Sequence, residues 1–236
     1  MRQRQPCNER YLRTLTSQVR GNTTSEKLIE LFWNLYNYFG PQYWWPGQSP
    51  FEIAIGAILT QNTNWQNVEK AIANLKRHGL LTHKAILEIP HSKLAQLIRP
   101  AGYFNLKAKR LKNFVNFVEE EFQGDMQKMA LLNTAQMRQK LLNVNGIGPE
   151  TADSILLYAL EKPIFVIDAY TVRVLARHDM ICLEEAQYHL IQDLFMENLP
   201  TDICLFNEYH ALFVRLGKEM CKRKRPTCTP CPLKDL

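Results

Sequence analysis

The chain has 236 residues, 46% of them apolar, which suffices for one large domain or two small ones sharing a core and excludes a disordered polymer. Lysine and arginine outnumber the acids 29 to 23, a surplus that suits a polyanionic partner but also occurs in ordinary soluble proteins. No apolar run approaches the roughly 20 residues that span a bilayer, and the N-terminus lacks a hydrophobic signal core, so no membrane partner and a cytoplasmic place with reduced thiols are expected.

The first two dozen residues are basic and polar with weak periodicity, and residues 1–24 read as a flexible leader outside the core. Leu28, Leu31, Phe32, Leu35, Tyr36 and Phe39 then recur at helical steps until Gly40. Ser49-Pro50 supplies a cap and a first-turn proline for a helix through Gln61, and Asn64 caps another ending near Gly79. Short helices follow from Thr82 and from Ser92 to Ile98, before Pro100-Ala101-Gly102 breaks the chain. A long helix from Asn105 to Phe122 turns Lys107, Lys109, Arg110 and Lys112 away from its apolar face. After the Asn133-Thr134 cap, helices fit 135–142, 151–160, 169–177, 184–198 and 202–216. Ile164 to Ile167 is strand-like but too short and solitary to make a sheet, so the architecture is predicted all-α.

Between two of these helices the chain turns through Asn145-Gly146-Ile147-Gly148. Glycines there permit positive φ and leave backbone amides open to an anion, while Pro149 starts a helix whose free N–H groups point the same way. One DNA phosphate suits that geometry, without regard to base sequence. The spacing alone equally fits a tight connection between helices. The letters from Leu141 to Ala152, however, resemble the helix-hairpin-helix signature of the endonuclease III superfamily, a likeness that extends from about Phe51 to Cys231. It implies double-stranded DNA with a flipped damaged base as partner. It also implies contacts from Gly146, Ile147, Gly148, Glu150 and Thr151.

Asp168 ends the apolar run and precedes a helix, which by itself marks an N-cap. By the resemblance it is the catalytic carboxylate. Breaking an N-glycosidic bond builds positive charge on the sugar, which a fixed anion stabilises, and the same anion can orient the attacking water. Bifunctional members of the superfamily carry a lysine in the second helix of the hairpin, where this chain has Glu150. A glutamate forms no imine, so the resemblance implies a monofunctional enzyme that leaves an abasic site. Lys162 lies outside the motif.

Tyr43-Trp44-Trp45-Pro46 and Leu59-Thr60-Gln61-Asn62-Thr63 look like the 3-methyladenine DNA glycosylases of the endonuclease III type, although aromatics in such numbers also build cores. That resemblance makes Trp44, Trp45, Pro46 and Trp65 the walls of a base pocket, where a cationic alkylated purine gains from an electron-rich indole. Gln61 becomes the residue wedged into the gap left by the flipped nucleotide. Lys107, Lys109 and Arg110 become phosphate contacts, a solvated helix face being the plainer alternative.

Cys221, Cys228 and Cys231 have the spacing of the first three ligands of the superfamily's iron–sulfur loop. The resemblance implies a [4Fe–4S] cluster, of structural role, whose fourth ligand is not in the sequence; a degenerate loop and a zinc site remain alternatives. Cys204 does not fit the spacing, and Cys7 and Cys182 look like ordinary thiols. The histidines show no ligand spacing and read as surface or packing residues.

The expected architecture is therefore a two-domain helical fold with a DNA groove between the domains. Residues 49–160 form a helical barrel, 25–48 and 161–217 a composite domain with Asp168, and 218–236 the cysteine loop. The expected function is hydrolytic removal of alkylated purines by a monomer, nucleoid-associated and of bacterial type. A glycosylase/lyase for oxidised pyrimidines, a monofunctional mismatch enzyme and a non-catalytic DNA-binding protein are the rivals.

Overall fold

The computed structural model describes residues 8–17, 19, 23–44 and 47–236. Among them the chain forms α1 (Glu9–Ser17), α2 (Thr23–Phe39), α3 (Pro50–Thr60), α4 (Trp65–Arg77), α5 (His83–Glu88), α6 (His91–Leu97), α7 (Phe104–Phe122), α8 (Met126–Leu131), α9 (Thr134–Leu142), α10 (Pro149–Ser154), α11 (Ala169–Arg177), α12 (Tyr188–Asn198) and α13 (Ile203–Glu219). No described residue lies in a strand, so the all-α expectation holds. No described helix is long and apolar enough to cross a membrane. The chain divides into two compact units, residues 45–162 and residues 1–44 with 163–236.

Within 45–162, α3 is buried nearly all round, as expected for a helix without a polar face. Its Ile53, Ile55, Ile58 and Leu59 are covered by the helices around it. Even Glu52 is buried, and it pairs with Lys76 of α4 at 2.8 Å. Starts are set by side-chain caps that relieve orphan amides: Ser49 accepts from Glu52 N–H, Asn64 from Asn67 N–H and Thr82 from Ala85 N–H. The helix expected over 151–160 is α10 continued by a π-helical turn, Ile155–Ala159. Helix α8 was not anticipated, since six residues are too few to show a period; Asp125 caps it.

Within the other unit, aromatic rings make the core. Phe165 stacks on Phe195 at 3.9 Å between centroids, Tyr209 stacks on Phe213 at 4.9 Å, and the buried Tyr209 hydroxyl donates to Leu28 O at 2.7 Å. Residues 164–167 are buried and extended without a strand partner. Side chains of α12 and the residue that opens it replace the missing ladder: Gln192 Nε2 donates to Phe165 O at 2.6 Å, and Ile167 N–H donates to the Tyr188 hydroxyl at 3.3 Å.

Two expectations need correction. Residues 1–24 were expected to lie outside the core, yet α1 and the start of α2 fall among them, and Leu12 is fully buried. Trp33 of α2 donates to Thr16 at 3.1 Å and carries the Arg13 guanidinium over its ring at 4.2 Å. A single buried leucine gives no periodicity to read, so polar anchoring was invisible. The helix expected over 184–198 is instead a 3-10 turn, Leu183–Glu185, followed by a break and α12.

Helices α11 and α13 cross so closely that a methyl group on Gly217 would sit 2.1 Å from Tyr170 Cδ1. Gly217→Ala is expected to destabilise the protein by about 2 kcal/mol through overpacking. Thermal unfolding checks this, with a fall of roughly 4–8 °C for a chain of this size.

Candidate functional site

Asp168 is the N-cap of α11. Its Oδ1 accepts from Tyr170 N–H at 2.9 Å, Thr171 N–H at 2.8 Å and the Thr171 hydroxyl at 3.0 Å. One oxygen is thus consumed by capping, and the cap expected from sequence is real. The other, Oδ2, faces His210 Nε2 of α13 at 3.5 Å. Both side chains are more than nine-tenths buried. Burial pushes the Asp168 carboxyl upward, but the facing His210, together with the bonds from Thr171, pulls it further down, so it stays below the ordinary carboxylate range. A buried, oriented carboxylate that remains ionised is what stabilisation of a sugar cation requires.

Beside His210 lies Trp44, half-buried, its ring parallel to the imidazole at 9° and 5.7 Å. The approach to Trp44 is anchored on α13. Gln42 N–H donates to Glu208, whose carboxyl burial raises to about 7 against the pull of that bond. Arg215 donates to Phe39 O at 3.1 Å. Trp45 and Pro46, the other expected pocket walls of this segment, lie outside the described residues. Trp65 belongs to the other unit, where it packs over Gly56 and donates to Glu69 of its own helix at 3.0 Å. It behaves there as a packing residue between α3 and α4.

The hairpin before α10 is held from behind. Gly146 has φ +98°, and a methyl group there would meet Arg110 Cγ at 2.3 Å, so both conformation and space demand glycine. Gly148 has φ −92° and open space around the position of a Cβ, so its value is access rather than positive φ. Gln61 spans the motif: its Nε2 donates to Gly146 O at 3.0 Å and to Thr151 Oγ1 at 2.9 Å, and its Oε1 accepts from Arg110. Asn113 adds a bond to Asn145 O at 2.9 Å. Ile147 and Thr151 point inward and are buried, leaving only their backbone for a ligand. Glu150 is exposed in the first turn of α10.

Several of the expected DNA contacts make bonds within the chain when no DNA is bound. The Gln61 amide, expected as a wedge, bonds the hairpin. Arg110 braces the same hairpin. Lys107 is 1% exposed and donates to Leu59 O at 2.9 Å and Ala101 O at 2.7 Å, closing the end of α3 against the Arg99–Ala101 turn. Burial, then the nearby Arg110 charge, push its ammonium down to about 8. Lys112 likewise caps the end of α5 through Leu87 O and Ile89 O. Among the basic residues 107, 109, 110 and 112, only Lys109 is fully exposed.

The cysteine loop leaves α13 at Cys221. Arg173 donates to Cys221 O at 2.7 Å, and Arg177 donates to Cys221 Sγ at 3.1 Å and Lys222 O at 3.0 Å, tying the loop to α11. Cys221 is buried, Cys231 half-buried and Cys228 exposed. Burial pushes the Cys231 thiol up, and the other two cysteines add to this. A cubane cluster takes four thiolates, of which this loop supplies Cys221, Cys228 and Cys231, and no three metal-ligating side chains converge on a point among the described residues. Cys204 is disulfide-bonded, contrary to the expectation of reduced thiols throughout, and so is no substitute. Cys182 is free and exposed, as expected, and Cys7 lies outside the described residues.

His210 was missed in sequence because a lone histidine in an apolar helix carries no signal; its meaning comes only from its place opposite Asp168.

Residues 55–201 match the family of HhH-GPD superfamily base excision DNA repair proteins. A Methanocaldococcus jannaschii protein, assigned to the DNA repair glycosylases with no substrate named, is 48% identical over 212 residues, covering 89% of this chain and 95% of its own. The structure of the Helicobacter pylori 3-methyladenine DNA glycosylase bound to 1,N6-ethenoadenine is similar, with TM-score 0.70 and 30% identity over 83% of this chain and 97% of that one. An endonuclease III–DNA complex shares the fold, with TM-score 0.76 and 20% identity over 90% and 94% of the two chains.

Two outcomes follow from the hairpin and its supports. Gly146→Ala is expected to weaken binding to an abasic duplex about tenfold, equivalent to 1.4 kcal/mol, as read by fluorescence anisotropy. Lys107 binds fewer protons folded than unfolded between its folded value near 8 and the ordinary 10.5, so its stability contribution rises with pH across that window. Urea unfolding of the protein and of Lys107→Met should show the difference moving in favour of lysine by up to about 3 kcal/mol from pH 7.5 to 10.5.

Proposed function

Because the chain belongs to the HhH-GPD superfamily of base excision DNA repair proteins, it is a DNA glycosylase, and we propose that it hydrolyses alkylated purines such as 3-methyladenine from duplex DNA without cutting the strand. The observation that carries this reading is Asp168: a buried carboxylate below its ordinary range, with one oxygen committed to capping and one left for chemistry. The C1′–N bond breaks with its electron pair leaving on the base, and the Asp168 anion offsets the charge that develops on the sugar. Water adds to C1′ and gives up its proton to the carboxylate.

Neither position 150 nor Lys162 offers an amine for a covalent route. Glu150 stands where the strand-cleaving lysine of related enzymes would be, and Lys162 donates instead to Ala130 O at 3.0 Å. An alkylated purine is already cationic, so it departs as a neutral base and needs no general acid. The Trp44 indole beside His210 offers a face on which such a base gains cation–π attraction. DNA is the partner. The backbone amides around Gly148, the exposed Lys109 and the exposed run Lys222–Arg225 are the groups proposed to meet phosphate. No step depends on a cluster in the cysteine loop.

Excision should be measured across duplexes carrying methylated purines, oxidised pyrimidines and mismatches, with and without borohydride. The expected result is release of methylated purines, an intact strand until alkali treatment, and no trapped adduct. A borohydride-dependent adduct would overturn the hydrolytic reading, and excision confined to another lesion would overturn the substrate. Asp168→Asn retains a good helix cap, so the fold should persist while excision falls by about 100-fold or more.

A further inference from the structure

We infer that His210 is a positioning residue for the glycosylase reaction, fixing the reactive oxygen of Asp168 while its own ring lies parallel to Trp44. The inference rests on the reading of Asp168 as the catalytic carboxylate. It starts from an asymmetry in that carboxylate. Oδ1 takes all three bonds from Tyr170 and Thr171, so it cannot turn toward a substrate without uncapping α11. Oδ2 is the only oxygen left, and the polar side chain that faces it is His210, with Nε2 at 3.5 Å. That separation is slightly long for a hydrogen bond in the free protein, and such contacts tighten when a reacting complex forms.

His210 also lies parallel to Trp44 with ring centroids 5.7 Å apart. One side chain therefore touches both the group that performs the chemistry and the indole proposed to receive the base. Both His210 and Asp168 are nearly inaccessible, so their mutual attraction is little screened by solvent or salt. Other titratable groups on the packed elements are engaged elsewhere. Glu208 accepts from Gln42, with Tyr36 beside it, and the Tyr209 hydroxyl donates to Leu28 O. Arg215 holds Phe39 O, Arg173 holds Cys221 O, and the Tyr188 hydroxyl receives Ile167 N–H. None of these is a charge partner for Asp168, and His210, with Thr171 behind it, holds its carboxyl below the ordinary range.

The consequence is a defined pH signature. The acid limb of activity follows protonation of Asp168, and His210 holds that limb at low pH. Removing the imidazole while keeping a flat ring, as in His210→Phe, preserves contact with Trp44 but takes away the partner of Oδ2. Its acid limb should move upward by about 1 pH unit or more, the effect expected from losing the polar partner that favours the ionised form of a buried carboxylate. His210→Gln restores a neutral donor without charge or ring. It should recover part of the neutral-pH rate that His210→Phe loses, with the limb still raised.

The experiment is single-turnover base release from dimethyl-sulfate-methylated duplex DNA, or from whichever duplex of the excision panel the enzyme cleaves, between pH 4.5 and about 8. The full chain, both His210 variants and Asp168→Asn are compared, with thermal melting as a control on folding. A raised limb in both variants supports the positioning role. Equal loss at every pH with an unmoved limb, in the variant that folds, overturns it. If Asp168→Asn is inactive while the limb stays put, His210 alone loses its role. If Asp168→Asn remains fully active, the reading of Asp168 falls too.

Discussion

Everything proposed for the chemistry depends on the cap that Asp168 makes on α11. A carboxylate in water points anywhere, and orienting it during a reaction costs free energy. Here the orientation is settled on folding by two amides and a hydroxyl that must be satisfied anyway at a helix start. The anion lies at the positive end of the helix, where backbone dipoles favour its charged form against the cost of burial. In the proposed mechanism capping and catalysis are thus one arrangement, and the oxygen that capping leaves is aimed before any DNA arrives.

A comparable economy governs the hairpin. Residues of α3 and α7 that resemble DNA contacts are largely occupied in building the loop. Arg110 and Gln61 hold Gly146 and Thr151, and Lys107 donates to Leu59 O at the end of α3. With its side chains tied down, the loop offers an anion little but backbone amides and the open space at Gly148. A grip made from backbone has no preference among bases, which suits a protein that must inspect many sites before finding one that is damaged.

Local signals were legible because they act over three or four residues. Ser49, Asn64, Thr82, Asn133 and Asp202 each cap the helix that their position announces. The hairpin and the cap at Asp168 were equally readable. What sequence hid depends on distant partners. The extended run 164–167 looks like a strand until Gln192 and Tyr188 are seen to satisfy its backbone. Lys107 looks like a surface cation until two carbonyls are found waiting for it. His210 looks like packing until Asp168 and Trp44 appear beside it. In each case the deciding contact is many residues away, beyond the reach of any periodicity.

The absence of an amine at position 150 gives these details their weight. Where a lysine attacks C1′, the nucleophile is held by the protein. In the hydrolytic reaction proposed for a chain with glutamate there, the nucleophile is water, which is mobile and must be both oriented and deprotonated. Both tasks then fall on the one oxygen of Asp168 that capping leaves free. A site with a single reactive atom has no redundancy, so whatever fixes the direction and charge of that atom acts on the rate almost directly. The buried imidazole opposite it is the group proposed to do that, and the same ring lies parallel to Trp44, the indole proposed to receive the base.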